Sequence, residues 1–141
     1  MKPETIASLT VKVELTSQSE QIKNINIRSV IVEIKHAIEE FHKTGQEHII
    51  DLLNLPLASY ERERLLDLLG QGELFIQLSA LGKSEIYETL FSGVWLIKHY
   101  DQQGIINGLF IEICEVPEIV LSKIEDLPHL SEQLQELIDD L

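Results

Sequence analysis

The segment Gly70–Pro117 constrains the fold of this chain more than any other part of it. Its apolar and β-branched runs, separated by short turn-forming stretches, predict four successive strands: Glu73–Ala80, Ser84–Leu90, Val94–Tyr100 and Ile105–Val116. Connections this short join only antiparallel neighbours. The segment therefore predicts a four-stranded antiparallel meander.

Both faces of this predicted sheet are apolar. Pairing Tyr100 with Ile105 in the last hairpin sets Trp95 opposite Phe110 and places Ile97 on the same face. Antiparallel sheets usually keep one face in water, so a second apolar face needs an explanation. Two explanations stay open: helices cover both faces, or Trp95, Ile97 and Phe110 form an exposed patch that binds a protein.

The rest of the chain adds helices and one or two further strands. Periodicity predicts a strand at Val11–Leu15, which is followed by a polar connector to residue 28 and a helix from 29 to Gly45. A short strand at Ile49–Leu53 and a second helix ending at Gly70 come next. After the meander, the pattern predicts an acidic amphipathic helix over 129–141. Turn or cap positions are Pro56, Gly70, Gly72 and Pro117. We expect a single α+β domain over 1–141, with helices packed mainly on one face of the sheet.

Charge and composition exclude several classes of function. Acidic residues outnumber basic ones by 24 to 11, and the formal net charge is −13. A chain without a basic stripe is a poor ligand for nucleic acid or for an anionic membrane. No apolar run approaches the length of about 18 residues that spans a bilayer, and no secretion signal is predicted near Met1. We expect a cytoplasmic protein.

The sequence contains few elements of catalytic chemistry. It has no G-x-S-x-G, P-loop, G-x-G-x-x-G or H-E-x-x-H motif. The single cysteine, Cys114, excludes a cysteine-rich metal site made by this chain alone, and no metal or cofactor is predicted. One alternative remains, in which the strand glutamates Glu73, Glu88 and Glu112 serve a small metal-binding or acid/base enzyme. A homodimer that buries the second sheet face is a further alternative.

An ordered set of short motifs resembles a known family. These are Ile50-Asp51-Leu52 with Leu55-Pro56-Leu57, Leu69-Gly70-Gln71-Gly72-Glu73, Glu88-Thr89-Leu90-Phe91-Ser92-Gly93-Val94-Trp95, and Ile111-Glu112 with Val116-Pro117. Together they are similar to the C-terminal conserved region of HupH/HyaF hydrogenase expression/formation proteins, over residues 29–123. Ser92 stands where the family is expected to carry proline.

The resemblance implies a function and a set of site residues. It implies a non-catalytic accessory role in the expression and maturation of [NiFe] hydrogenase, by binding a hydrogenase subunit or another maturation protein. The residues predicted to bind the partner are Glu88, Thr89, Gly93, Trp95, Ile97 and Phe110. The polar residues of the motifs are Asp51, Glu73 and Glu112, and no catalytic residue is predicted.

Overall fold

The computed structural model describes residues 26–80 and 82–141, so the predicted strand Val11–Leu15 and most of the polar connector lie outside the described residues. The described residues form helices α1 (26–44), α2 (Ser59–Leu69) and α3 (Leu127–Asp139), and strands β1 (His48–Asp51), β2 (Phe75–Ser79), β3 (Lys83–Glu88), β4 (Val94–Tyr100) and β5 (Ile106–Ile113). These strands make one antiparallel sheet in the order β1-β5-β4-β3-β2. The predicted α+β class and the four-stranded meander are confirmed.

Strand β1 is the additional strand of the sheet, and it lies beside β5. Ile50 pairs with Ile111, which sets the short β1 at one edge of the sheet. At the other edge, β2 begins only at Phe75, so Glu73 precedes the strand in which it was predicted to lie. The two glutamates Glu88 and Glu112 do lie on strands, as expected.

The register of the last hairpin differs from the predicted one by two residues. Trp95 lies opposite Glu112, and Phe110 lies opposite Ile97. The pairing of Trp95 with Phe110 was therefore wrong, because Tyr100 pairs with Ile106 and not with Ile105, and an irregularity between His99 and Tyr100 adds a second residue of offset. A two-residue offset keeps every side chain on its predicted face, since the side-chain period of a strand is two.

The main core lies between helices α1 and α2 and one face of the sheet. Its buried side chains are Ile27, Val30, Ile34 and Ala37 of α1, Leu65 and Leu69 of α2, and Tyr87, Val94, Leu96, Leu109, Ile111 and Ile113 of the strands, with Ile50, Leu52 and Leu57 between them. Helix α1 ends where predicted, with the Gly45 N–H donating to the Phe41 carbonyl at 2.8 Å and Gly45 at φ +75°. Helices therefore pack mainly on this face.

The opposite face of the sheet carries a smaller buried cluster. It consists of Ile86, Trp95, Ile97 and Cys114. Part of its cover is Val120, which belongs to a short 3₁₀ turn, Glu118–Val120, just after the buried Pro117. The second face is thus closed at its centre in part by the segment that follows β5.

Helix α3 stands apart from both clusters. Every residue from 121 to 141 is exposed, including all the leucines of α3. Within the part of the chain that the structure describes, no helix has the length and apolar character needed to cross a membrane.

Candidate functional site

Two of the motifs that lie far apart in sequence meet in the fold. The Gly72 N–H donates to the Glu88 carbonyl at 2.7 Å, and the Leu90 N–H donates to the Leu69 carbonyl at 2.9 Å. Residues 69–73, at the end of α2, are therefore joined to residues 88–93, the loop between β3 and β4. We call these two segments the motif junction.

The 88–93 loop is held by hydrogen bonds of its own. The Glu88 carboxylate accepts the Gly93 N–H at 3.2 Å, and the Thr89 N–H donates to the Val94 carbonyl at 2.9 Å. The Thr89 hydroxyl is buried and bonds twice to Phe91, accepting its N–H and donating to its carbonyl, both at 3.2 Å. Glu88, Thr89 and Gly93, three of the residues predicted to bind a partner, thus make hydrogen bonds that hold the shape of this loop.

Close packing at the motif junction explains why one of its glycines is required. A Cβ on Gly72 would lie 2.8 Å from the Thr89 carbonyl oxygen, which is nearer than real contacts allow. Gly70 ends α2 at φ +68°, and the Leu90 side chain fills the space beside it. The predicted turn and cap roles of Gly70 and Gly72 thus have a direct geometric basis.

The motif junction presents apolar side chains to solvent. Leu90 is 68% exposed and Phe91 is 53% exposed. Leu74, whose carbonyl accepts the Glu88 N–H at 3.2 Å, is 51% exposed. Leucine and phenylalanine on neighbouring backbone segments are the side chains from which protein-binding patches are built. Sequence reasoning missed these three residues, although two of them lie within the motif that carried the prediction.

The predicted patch on the second sheet face is not exposed. Trp95 is 3% exposed and Ile97 is 2% exposed, and only Phe110 is half-buried. Of the two explanations left open, cover by the chain itself accounts for the centre of this face, where Val120 packs against the buried cluster.

Trp95 occupies the middle of a cross-strand row. Glu88 of β3 lies directly opposite it on one side, and Glu112 of β5 lies opposite it on the other. With strands about 4.8 Å apart, the two glutamate backbones are separated by roughly 10 Å.

The environment of Glu112 affects two titratable groups. Burial raises the pKa of Glu112, and the nearby carboxylates Glu47 and Glu118 raise it further. Burial, with the charges of Glu112 and Glu47, raises the pKa of the Cys114 thiol to about 12. Cys114 is therefore an inert buried side chain, not a nucleophile.

The polar motif residues do not converge on one site. Asp51 accepts a hydrogen bond from the Asn54 side chain at 2.6 Å and lies opposite Phe110 at the β1 edge. Glu73 is exposed beside β2, at the other edge of the sheet. Among residues 26–80 and 82–141, no three His, Cys, Asp or Glu side chains are grouped so as to hold a metal ion. Pro56 is exposed in the turn before α2.

A serine–histidine contact was not found by sequence reasoning. The Ser84 hydroxyl lies 2.7 Å from His99 Nδ1 across the β3–β4 pair, beside an open groove of about 470 Å³. The edge of the Phe110 ring packs against the His99 ring. No carboxylate among the described residues bonds to this imidazole, so the contact lacks the third group that would orient a catalytic base. Only knowledge of the strand register could have revealed it.

Comparison with known proteins identifies the family. The model of the family described as HupH hydrogenase expression protein, C-terminal conserved region, matches residues 24–141. This chain belongs to the HupH family. The resemblance predicted from short motifs is confirmed, and the match continues through α3.

Named relatives and a solved structure agree with this assignment. Hydrogenase-1 operon protein HyaF of Escherichia coli (strain K12) is 34% identical over 96 residues, which are 66% of this chain and 33% of HyaF. Hydrogenase expression/formation protein HupQ of Azotobacter chroococcum mcd 1 is 24% identical over 119 residues, which are 83% of this chain and 42% of HupQ. The chain thus spans well under half of either relative.

The solved structure is that of the hydrogenase expression protein HupH from Thiobacillus denitrificans. It superposes on this fold with a TM-score of 0.78 at 36% sequence identity. The match covers 82% of this chain and 97% of that one.

Proposed function

We propose that this chain is an accessory protein in hydrogenase expression and maturation, and that the motif junction binds a hydrogenase subunit or another maturation protein. Membership of the HupH family and the names of its relatives support the accessory role. The observation that supports the binding site is the hydrogen-bonded contact between the two motifs, which holds Leu90 and Phe91 out in solvent.

The motif junction has the physical properties of a docking surface. Its backbone is fixed from both sides, by the Gly72 N–H to Glu88 bond and by the Thr89 hydroxyl. A fixed loop loses little conformational entropy on binding, so its exposed side chains contribute more of their burial energy to affinity. Phe91 is the residue that we expect to contribute most, because exposed aromatic side chains are frequent binding hot spots.

The residues first predicted to bind the partner take a supporting role in this proposal. Trp95 and Ile97 are buried beneath the sheet surface and cannot touch a partner while the domain keeps this fold. Trp95 follows Val94, whose carbonyl accepts the Thr89 N–H, so its packing helps to fix the end of the loop. Glu73 is exposed within the motif junction and supplies a negative charge to its edge.

We further propose that the role is non-catalytic and is performed in the cytoplasm. The Glu88 carboxylate is engaged by the Gly93 N–H, and Glu112 lies on the far side of the buried Trp95. The sequence also lacks the common catalytic motifs.

Recovery of hydrogenase proteins on the tagged full chain tests the binding site. In hydrogenase-producing cells, we expect the wild-type chain to retain a hydrogenase subunit or maturation protein that mass spectrometry identifies. Phe91→Ala should lower that recovery by about tenfold or more. Ile105→Ala is the matched control, because Ile105 is 64% exposed in the β4–β5 turn, away from the motif junction.

Two results would count against the proposed site. Full recovery with Phe91→Ala would show that the partner docks elsewhere. An equal loss with Ile105→Ala would show that general exposed apolar surface is responsible, not the motif junction. Thermal unfolding of each variant should stay within a few degrees of wild type, so that loss of binding is separated from loss of fold.

A further inference from the structure

Strand β2 lies at an edge of the sheet, at the end of the order β1-β5-β4-β3-β2. Within residues 26–80 and 82–141, it pairs with β3 and with no other strand. An edge of this kind presents backbone N–H and C=O groups with which a further strand can pair. Proteins usually protect such an edge with charged side chains, proline, a bulge or a very short strand.

Strand β2 has none of these protections. Its five residues, Phe75–Ser79, include no charged residue and no proline, and they pair with β3 in an unbroken register. The opposite edge strand, β1, has four residues and carries His48 and Asp51 at its ends. Strand β2 is therefore the edge at which this sheet is open to pairing.

The hydrogen bonds at the two ends of β2 show which backbone groups face β3. The Ala80 N–H donates to the Gly82 carbonyl at 2.9 Å, and the Leu74 carbonyl accepts the Glu88 N–H at 3.2 Å. Along a strand, the backbone groups of successive residues point alternately to one side and to the other. Since residues 74 and 80 both bond toward β3, the even-numbered residues between them do so as well.

The odd-numbered residues of β2 therefore hold the free backbone groups. The N–H and C=O groups of Phe75, Gln77 and Ser79 point away from β3, so each residue offers a donor and an acceptor along the edge. The side chains of Ile76 and Leu78 are half-buried on the second sheet face, where they pack against the buried cluster. A strand paired with β2 would complete the cover of both.

We propose that the partner bound at the motif junction adds an extended segment to the free edge of β2, as an additional strand of the sheet. This inference rests on the proposed function, because it states in what form that partner binds. The start of β2 borders the motif junction, since Leu74 bonds to Glu88 and directly precedes the strand. Leu74 and Phe75 are each 51% exposed, like the apolar side chains of the motif junction itself.

The edge determines the chemistry of the segment that fits it. Only an extended main chain can bond to a row of strand groups, because a helix uses its own N–H and C=O groups internally. Every second side chain of the segment would lie beside Ile76 and Leu78, so these side chains should be apolar. Glu73 is exposed just before β2, and the chain has a net charge of −13, so a Lys or Arg next to the segment complements both.

A second copy of this chain complements the edge less well. Two copies that pair through β2 would bring together two net charges of −13, and neither strand contains a cation. The edge is therefore better matched to a partner that carries positive charge.

A proline in β2 tests the added strand. Gln77→Pro removes one outward N–H and places its ring at the edge, while the bonds of residues 76 and 78 to β3 remain. On the tagged full chain in hydrogenase-producing cells, this variant should lower the recovery of hydrogenase proteins by about tenfold or more. Gln77→Ala is the matched control, because it keeps the N–H, and its recovery should equal that of wild type. Full recovery with a folded Gln77→Pro chain, or an equal loss with Gln77→Ala, would overturn the added strand.

Comparison with Phe91→Ala separates this inference from the proposed function. Loss of recovery with Phe91→Ala but not with Gln77→Pro would keep the motif junction as the binding site and reject the added strand. Loss with Gln77→Pro alone would support pairing at the edge and count against the motif junction. Full recovery with both variants would reject both.

Hydrogen exchange of the free wild-type chain tests the edge without a variant. After correction for intrinsic rates, the Gln77 amide should exchange at least about tenfold faster than those of Ile76 and Leu78, as followed by NMR. Slow exchange at Gln77 would mean that another part of this chain already fills the edge. Protection that rises with protein concentration would mean that a second copy fills it. Either result would overturn the proposal.

Discussion

Trp95 of β4 lies directly across from Glu112 of β5, and the same row continues to Glu88 on the other side of the indole. Trp95 is 3% exposed, and its indole N–H has no acceptor among the described residues. Glu88 in turn accepts the Gly93 N–H within the motif junction. The row therefore connects the buried cluster of the second sheet face to the loop that presents Phe91.

Replacing Trp95 by alanine should destabilise the fold instead of removing a binding contact. We expect Trp95→Ala to lower the free energy of unfolding by about 3–5 kcal/mol, because it leaves a cavity among Ile86, Ile97 and Cys114. Urea unfolding measures this change directly. Phe91→Ala, at an exposed site, should change the same quantity by less than about 0.5 kcal/mol.

Replacing Trp95 by phenylalanine separates packing from hydrogen bonding. The ring is smaller but still fills most of the space, and the indole N–H without a partner is removed. We expect a loss of no more than about 1.5 kcal/mol for Trp95→Phe. A loss as large as that of the alanine variant would mean that the N–H does have a partner in solution.

The sequence pattern predicted the strands well because alternation and turn residues are local properties. Strand β4, Val94–Tyr100, has the predicted boundaries, and Trp95 lies on the predicted face. The register was missed because it depends on an irregularity next to Tyr100, which no local preference determines. The side chains were still assigned to the correct faces of the sheet, because the register differs by an even number of residues.

The solvent exposure of a side chain was harder to predict than the strand and the face on which it lies. Trp95 is covered in part by Val120, which lies 25 residues further along the chain in a turn that has no periodic pattern. The exposed Leu90 and Phe91 belong to a loop whose direction is fixed by backbone bonds to Leu69 and Gly72. Contacts of this kind appear only once α2 and the sheet are placed in space.

Gly72→Ala tests the contact between the two motifs. The new Cβ would meet the Thr89 carbonyl oxygen, which belongs to the main chain and cannot rotate away. We expect a loss of about 1–3 kcal/mol in the free energy of unfolding, measured with urea. Gln71→Ala is the control, since Gln71 is exposed and its replacement should cost less than about 0.5 kcal/mol. Equal stability of the two variants would mean that residues 69–73 do not pack against Thr89.

Glu112 should give the fold a measurable dependence on pH. Burial and then the charges of Glu47 and Glu118 raise its folded pKa above 4.5. Its protonated form is therefore favoured in the folded state, and its contribution to stability is present below the unfolded pKa and lost as pH rises through the folded pKa.

Glu112→Gln should remove this contribution to the pH dependence. The variant should gain stability relative to wild type as pH rises from about 4 to about 7, as followed by urea unfolding at each pH. Glu115→Gln, at an exposed neighbouring position, removes the same charge and is the matched control. A wild-type minus variant difference that stays constant with pH would mean that Glu112 titrates alike in both states.

Cys114 should react with thiol reagents only when the protein unfolds. Burial and the nearby carboxylates raise its pKa to about 12, and its side chain is 2% exposed. Reagents attack the thiolate, so we expect native labelling to be at least about 100-fold slower than labelling of the same chain in urea. Because Cys114 is the only cysteine, the reaction has a single site. Rapid stoichiometric labelling of the folded wild type would place Cys114 at the surface and contradict the packing of the second sheet face.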